Sequence, residues 1–382
     1  MSIGPENALN ALNALNALSG NNALNALGSE SPAQAEALIT NRDGIVGTRI
    51  DHIVAVAPGL SNSPKNLARL SSNERAAIFQ SELAPSVDVT FETHDGQPVA
   101  TLWRQTKEKN KRHSVALDKM VQMTGPTIEQ LTVQLKHVAG YAQIRPDRGA
   151  EILSQTSIPT SFFASIGFMD AARTPYTIEL LNAALQFSFP VIQRMKYTLA
   201  VKRPIEFSPQ VQPMIPTPTH GSLPSGHATE SFLMARMLWK LLIHSNVPQY
   251  NDHAYWGEML MRQAARIATN RTVAGVHFPI DSVAGGLLGL TLADHVYQMS
   301  CGGDWSFARF NAPKFDPADD FDWHRFYSAE GDRLKLEASS DRGVWFKSKK
   351  HSDDGDVPST TLAWLWNKAL GEWKDLEYGE GK

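Results

Sequence analysis

The chain has 382 residues, 42% hydrophobic and 20% charged, enough apolar material for a sizeable core in one large domain or two modest ones. A net charge of −3 argues against a broad nucleic-acid footprint and leaves room for a local basic pocket. A single cysteine, Cys301, excludes an internal disulfide framework, and nothing calls for an oxidising compartment.

The first 41 residues hold no Lys or Arg, so the basic start of a secretory signal is missing. The best uncharged apolar run, "SVAGGLLGLTLA" between Asp281 and Asp294, is too short to span a bilayer. Together these predict a soluble, cytoplasmic protein without a membrane span. Residues 1–45 form a low-complexity segment in which Asn-Ala-Leu recurs. A three-residue repeat drifts around a helix of 3.6 residues per turn, which fits a disordered or loosely helical tail. The alternative is a segment that docks a partner.

Residues 46–112 are mixed and turn-rich, and "VDVTFETHDGQPVATLW" predicts two strands around Asp95-Gly96. From 113 to 300 the pattern turns helical. Five stretches, beginning "TIEQLTVQL", "YTIELLNAAL", "ATESFLMARM", "YWGEMLMRQA" and "DSVAGGLLGL", carry apolar residues at helical spacing. The fold class they predict is mainly α, a helical bundle with small irregular or β-hairpin extensions. Residues 301–382 read as an irregular extension packing on the bundle, with a hairpin around "RLKLEASSDRGVWFK" and a short helix "TTLAWLWNKAL".

Three clusters carry chemistry. In "QRMKYTLAVKRP", Lys196 and Arg203 are seven residues apart. On a helix stopped by Pro204 they would share a face two turns apart. Two cations there repel unless an anion sits between them. In "LPSGHATES", Ser225 can cap the helix that follows, and Gly226 lets a ligand approach the backbone. The free N–H groups of a helix start bind oxyanions. Ser225 as a plain cap would leave His227 unexplained, since a histidine beside an oxyanion can move a proton near neutral pH. In "NRTVAGVHFPID", Arg271 precedes His277, and Asp281 follows four residues later. A helical turn there would let the carboxylate fix the imidazole tautomer and leave its other nitrogen basic.

In this order, Lys-x6-Arg-Pro, Pro-Ser-Gly-His and Arg-x5-His-x3-Asp resemble the superfamily of type 2 phosphatidic acid phosphatases, bacterial acid phosphatases and vanadium-dependent haloperoxidases. The resemblance covers roughly residues 150 to 300. It departs at Asn270, where the third motif usually opens with Ser. The resemblance implies that Lys196, Arg203 and Arg271 neutralise a tetrahedral oxyanion, with Ser225 and the Gly226 N–H completing the cradle. His227 would be the acid/base group. His277 would be the nucleophile or the axial ligand of vanadium, and Asp281 would orient it. Vanadate is the implied cofactor of a haloperoxidase, and a phosphatase of this type needs none.

The Pro-Thr-Pro approach to the second motif, Ala228 after its histidine, and the lack of a signal or span favour the haloperoxidase, with hydrogen peroxide and halide as substrates. The alternative is a soluble phosphatase that takes a phosphate monoester through a phosphohistidine. A third possibility, less favoured, is a non-catalytic scaffold. No nucleic acid is expected as a partner, and a homo-oligomer is compatible with the sequence.

Overall fold

The computed structural model describes residues 45, 59–107, 115–157, 159–303, 305–334, 344–349 and 358–374, so the Asn-Ala-Leu repeat lies outside the described residues. Contacts divide the chain into two units, Met1–Arg75 and Ala76–Lys382. The described part of the first centres on a 3-10 turn, Pro64–Arg69, where the Ser63 hydroxyl caps the Lys65 N–H. Helix α1, Ser72–Leu83, runs across the boundary.

The second unit is mainly α, a helical bundle with a small sheet. Strands β1 (Val87–His94) and β2 (Gln97–Lys107) form the hairpin that Asp95-Gly96 predicts, and both turn residues have positive φ. The helical pattern does not start at 113. Val115–Thr124 is strand β3, antiparallel to β2, and it buries Met120, Val121 and Met123. Strand β4, Trp305–Asn311, lies parallel to β3 with Ala308 opposite Val121. The short strands β5 (Tyr327–Ser328) and β6 (Arg333–Leu334) pair with each other, and β7 (Val344–Lys349) pairs with β4. The described ends of "RLKLEASSDRGVWFK" pair with different strands, 333–334 with β5 and 344–347 with β4, and the residues between them lie outside the described residues. The larger sheet runs β1-β2-β3-β4-β7.

The bundle is inserted between β3 and β4. Its helices are α2 (Ile128–Tyr141), α3 (Arg145–Ser154), α4 (Thr160–Gly167), α5 (Pro175–Leu199), α6 (Gly226–Ser245), α7 (His253–Val273) and α8 (Pro279–Cys301). Helix α9, Thr360–Lys374, packs back on α5 and α8 from the C-terminal side. Helix α2 opens with a capping box between Thr127 and Gln130. Every residue of α8 from Pro279 to Val296 is buried, which explains a sequence that is apolar all round: it is a central helix. Among the described residues, no helix is long and apolar enough to cross a membrane.

Two glycines set how closely α8 approaches α6. A Cβ on Gly285 would come within 2.5 Å of the Ser225 carbonyl oxygen, and one on Gly289 would collide with the Thr229 carbonyl. Only a bare backbone fits at these points. The first turn of α6 and the N-terminal turns of α8 are thereby pressed together, and the candidate site is built at that end.

Candidate active site

The Lys196–Arg203 segment is not one helix. Helix α5 ends at Leu199, where Ala200 turns left-handed at φ 48, and Arg203 stands in extended backbone ahead of a helical turn, Pro204–Phe207. Pro204 starts that turn and does not stop α5. The two cations converge all the same, because both hold one loop. Lys196 Nζ donates to the Gly221 and Ser222 carbonyls at 2.9 Å each. Arg203 donates to the His220 carbonyl at 3.0 Å, the Gly221 carbonyl at 3.3 Å and the Val276 carbonyl at 2.7 Å. It also donates to His220 Nδ1 at 3.1 Å. Burial and the Lys196 charge push that imidazole down to about 4.

The loop continues through a cis Leu223–Pro224 peptide to Ser225, the N-cap of α6. Its hydroxyl accepts the Ala228 N–H at 3.4 Å, a long contact, and its own N–H donates to the Asp281 carbonyl at 2.9 Å. Gly226 and His227 are the first two residues of the helix, and their N–H groups have no acceptor within it.

Helix α8 supplies the next part. His277 stands just before it, and Asp281 is in its first turn. The His277 Nδ1–H donates to Asp281 Oδ2 at 3.0 Å. The same oxygen accepts the Phe278 N–H at 2.9 Å and the Ser222 hydroxyl. Nδ1 therefore carries the proton, and Nε2 keeps its lone pair, 3.4 Å from Arg203 Nη1. Burial, then Arg203 and Lys196, hold His277 well below the ordinary histidine value. Burial pushes Asp281 up to about 6 against the pull of its donors, so it is ionised at neutral pH.

His227 is oriented from the other side. Its Nε2–H donates to the Gln155 carbonyl at 2.8 Å, which leaves Nδ1 as the basic atom. Burial and Arg271 push the ring down to about 3. Arg271, in the last turn of α7, reaches the same residue: Nη2 donates to Gln155 Oε1 at 3.1 Å and to the Ile152 carbonyl at 3.4 Å. Its Nε is buried with no hydrogen-bond partner.

Lys196, Arg203 and Arg271 are each at most 2% exposed, and among the described residues none has a carboxylate oxygen within ion-pair distance. Burial brings Lys196 down to about 7 and Arg271 to about 10, and lowers Arg203. Three buried basic side chains stand around two helix N-termini with no carboxylate in ion-pair distance among the described residues, an arrangement that suits an anion.

Residues 131–301, which include every group described above, match the model of the PAP2 superfamily. The bundle is a PAP2 superfamily domain. Among solved structures it is similar to the first transmembrane PAP2 type phosphatidylglycerolphosphate phosphatase from Bacillus subtilis, at 18% identity and a TM-score of 0.37, covering 45% of this chain and 86% of that one. No curated protein matches the chain.

Three further residues of the PAP2 domain stand in the candidate site without a sequence signal that singles them out. Ser222 holds Asp281 from the loop ahead of α6. Gln155, fully buried just beyond α3, holds His227 by its backbone and Arg271 by its side chain. Glu230 lies one helical turn beyond Gly226. Asn270, the departure from the usual motif, braces Gln155: its amide donates to Gln155 Oε1 and Glu151 Oε1 at 2.9 Å each, and its carbonyl accepts from Arg148 at 3.2 Å. The contact is to the frame behind Arg271.

Proposed function

We propose that this chain is an oxyanion-centred enzyme of the vanadate-dependent haloperoxidase type, which oxidises halide with hydrogen peroxide. The observation that favours it is the state of His227. The ring is neutral, its Nε2–H is committed to Gln155, and a bare Nδ1 remains. A neutral base is what incoming hydrogen peroxide needs, since it must give up a proton to bind.

The residues fit vanadate. Among the described residues the cradle's three buried cations have no carboxylate partner, Arg271 has an unused buried Nε, and His277 offers one lone pair. Lys196, Arg203, Arg271, the Ser225 hydroxyl and the Gly226 N–H would hold its oxygens, and His277 Nε2 would ligate the vanadium. Vanadate, when bound, supplies the Lewis-acidic centre at which peroxide is activated toward halide. Asp281 keeps the His277 proton on Nδ1, so Nε2 stays available as the ligand. His227 Nδ1 would take the peroxide proton, and Lys196 Nζ, which donates to the Gly221 and Ser222 carbonyls, would have a remaining N–H for an oxygen of the bound group.

The same lone pair on His277 Nε2, backed by Asp281, also favours a phosphatase. In that case Nε2 bonds to phosphorus, the ester P–O bond breaks, and the leaving oxygen takes a proton from His227 Nδ1. His227 must first gain that proton, as the charge of a bound phosphate offsets the three cations. A paired assay separates the two. Bromination of monochlorodimedone with vanadate and peroxide, and no hydrolysis of p-nitrophenyl phosphate without vanadate, is the expected result. Hydrolysis alone would make the chain a phosphatase, and neither activity would leave a binding domain.

A further inference from the structure

Glu230 is an acid in the cradle for which neither mechanism above has a use. It lies three residues after His227 and four after Gly226, on the face of α6 that those residues present. That face looks toward α5. A Cβ on Gly226 would meet Ile192, at 3.9 Å, and Lys196 is one turn farther along the same helix. Glu230 is only partly covered, and burial pushes its carboxyl up to about 7. Among the described residues it makes no hydrogen bond and no ion pair. Lys196 is the charge that acts on it, and Glu230 in turn helps to hold Lys196 in its charged form. An unpartnered carboxyl beside an anion cradle is a liability when ionised, since it opposes the anion, and an asset when protonated, since its O–H is a donor.

We propose that Glu230 is a further substrate-binding group of the cradle: as the neutral carboxylic acid it donates a hydrogen bond to an oxygen of the bound oxyanion, so anion and proton enter the site together. The proton comes from solvent and is returned when the anion leaves. Lys196 of α5 is the charge that acts on Glu230, and His227 lies about one turn before it on the same face of α6. The proposal rests on the oxyanion reading of the site.

Inorganic phosphate is a sufficient probe. Its affinity is measured by calorimetry for the wild type, Glu230→Gln and Glu230→Leu at about pH 6 and pH 8, either side of the carboxyl's value near 7. Phosphate's own titration is common to all arms and cancels. Gln keeps a donor and cannot ionise, so it should match the wild type at the lower pH and bind about 10-fold tighter at the higher one. That gain must outweigh the charge Lys196 loses with its neighbour, which acts in the opposite direction. Leu should bind more weakly than Gln at both. At the higher pH, buffers of different ionisation heat should show about one proton fewer taken up by Glu230→Gln, and at the lower pH almost no difference. Wild-type binding with a flat Gln-to-wild-type ratio, or a Leu variant equal to Gln, would overturn the role of Glu230 alone. A wild type that binds no phosphate at either pH would sink the oxyanion site and this proposal together. Thermal melts of the three free proteins identify a variant that is simply unfolded.

Discussion

At the scale of single residues, two histidines in one candidate cradle have opposite tautomers, which suits them to different tasks in the proposed mechanism. His277 carries its proton on Nδ1, toward Asp281, and His227 carries its proton on Nε2, toward Gln155. His277→Ala should abolish turnover, because it removes the group that bonds to the central atom. His227→Ala should slow turnover about 10²–10⁴-fold while anion binding survives, because only proton transfer is lost. Steady-state rates alongside phosphate or vanadate calorimetry check both, and a His277→Ala variant with wild-type turnover would remove that residue from the mechanism. The low value of His227 also has a sign. The folded state releases this proton near 3 and the unfolded chain near 6.5, so the contribution is complete above about pH 6.5 and is lost as pH falls toward 3. His227→Gln should therefore flatten the acid side of the stability profile by about one proton, roughly 1.4 kcal/mol per pH unit, in urea melts between those values. The eight residues of the candidate site were legible because their types and order are unusual together. Gln155, Ser222 and Glu230 were not. A buried Gln after a short helix, a Ser in a loop and a Glu on a helix each have many ordinary uses, and only the folded chain brings them to the cradle.

At the scale of elements, long amphipathic helices were legible from periodicity, and the breaks in that legibility have physical causes. Helices α3 and α4 span ten and eight residues, too few turns for a clear repeat. Strand β3 pairs with β2 on one side and, on the other, with β4 from beyond the whole bundle in sequence, so part of its pairing has no local signal. Helix α5 stops at an alanine in the left-handed conformation, where glycine would have been the usual sign. The glycines of the site divide in the same way. Gly226 invites attention in the motif, yet its φ is not left-handed and a Cβ there meets only Ile192 at 3.9 Å. Gly285 and Gly289 look unremarkable in the sequence, yet they admit no side chain. Gly226→Ala should leave stability unchanged within about 1 kcal/mol. Gly289→Ala should cost about 2–4 kcal/mol, as overpacking against backbone does when neither helix can yield, with Gly285→Ala close behind. Chemical denaturation of the three variants is the check. Equal costs would mean that α6 and α8 are free to separate, and that the cradle is not held by their contact.

At the scale of the whole second unit, two buried charge clusters share helices α6 and α8, and they differ in whether their charges close. At the start of these helices lies the candidate cradle, with three cations that lack carboxylate partners among the described residues. Farther along, Arg236 and Lys240 of α6 meet Asp294 of α8 and Asp332 of the segment between β5 and β6. Arg236 bonds Asp294 at 2.8 Å and Asp332 at 3.0 Å, and Lys240 bonds Asp332 at 2.6 Å. The Tyr327 hydroxyl donates to Asp332 at 2.8 Å. Although burial opposes it, the two carboxylates hold Arg236 above its ordinary value, the reverse of what happens to Arg271. A closed cluster needs nothing from outside and fastens the C-terminal extension to the bundle. An open one gains from a ligand. The two should therefore respond oppositely to mutation and to anion. Asp332→Asn leaves Arg236 and Lys240 with one carboxylate between them, and should destabilise by about 2–4 kcal/mol, toward the low end for breaking a buried pair because an amide oxygen remains. Its affinity for phosphate should not change. Arg271→Ala should cost little stability in the absence of anion, since it removes a buried charge whose desolvation no ion pair among the described residues offsets, and should lose most of the thermal stabilisation that excess phosphate or vanadate gives the wild type. Melts of both variants with and without anion decide the matter. If Arg271→Ala were destabilised as much as Asp332→Asn and still gained the full stabilisation from anion, the three cations would be a structural cluster like the other, held together by contacts with the backbone alone.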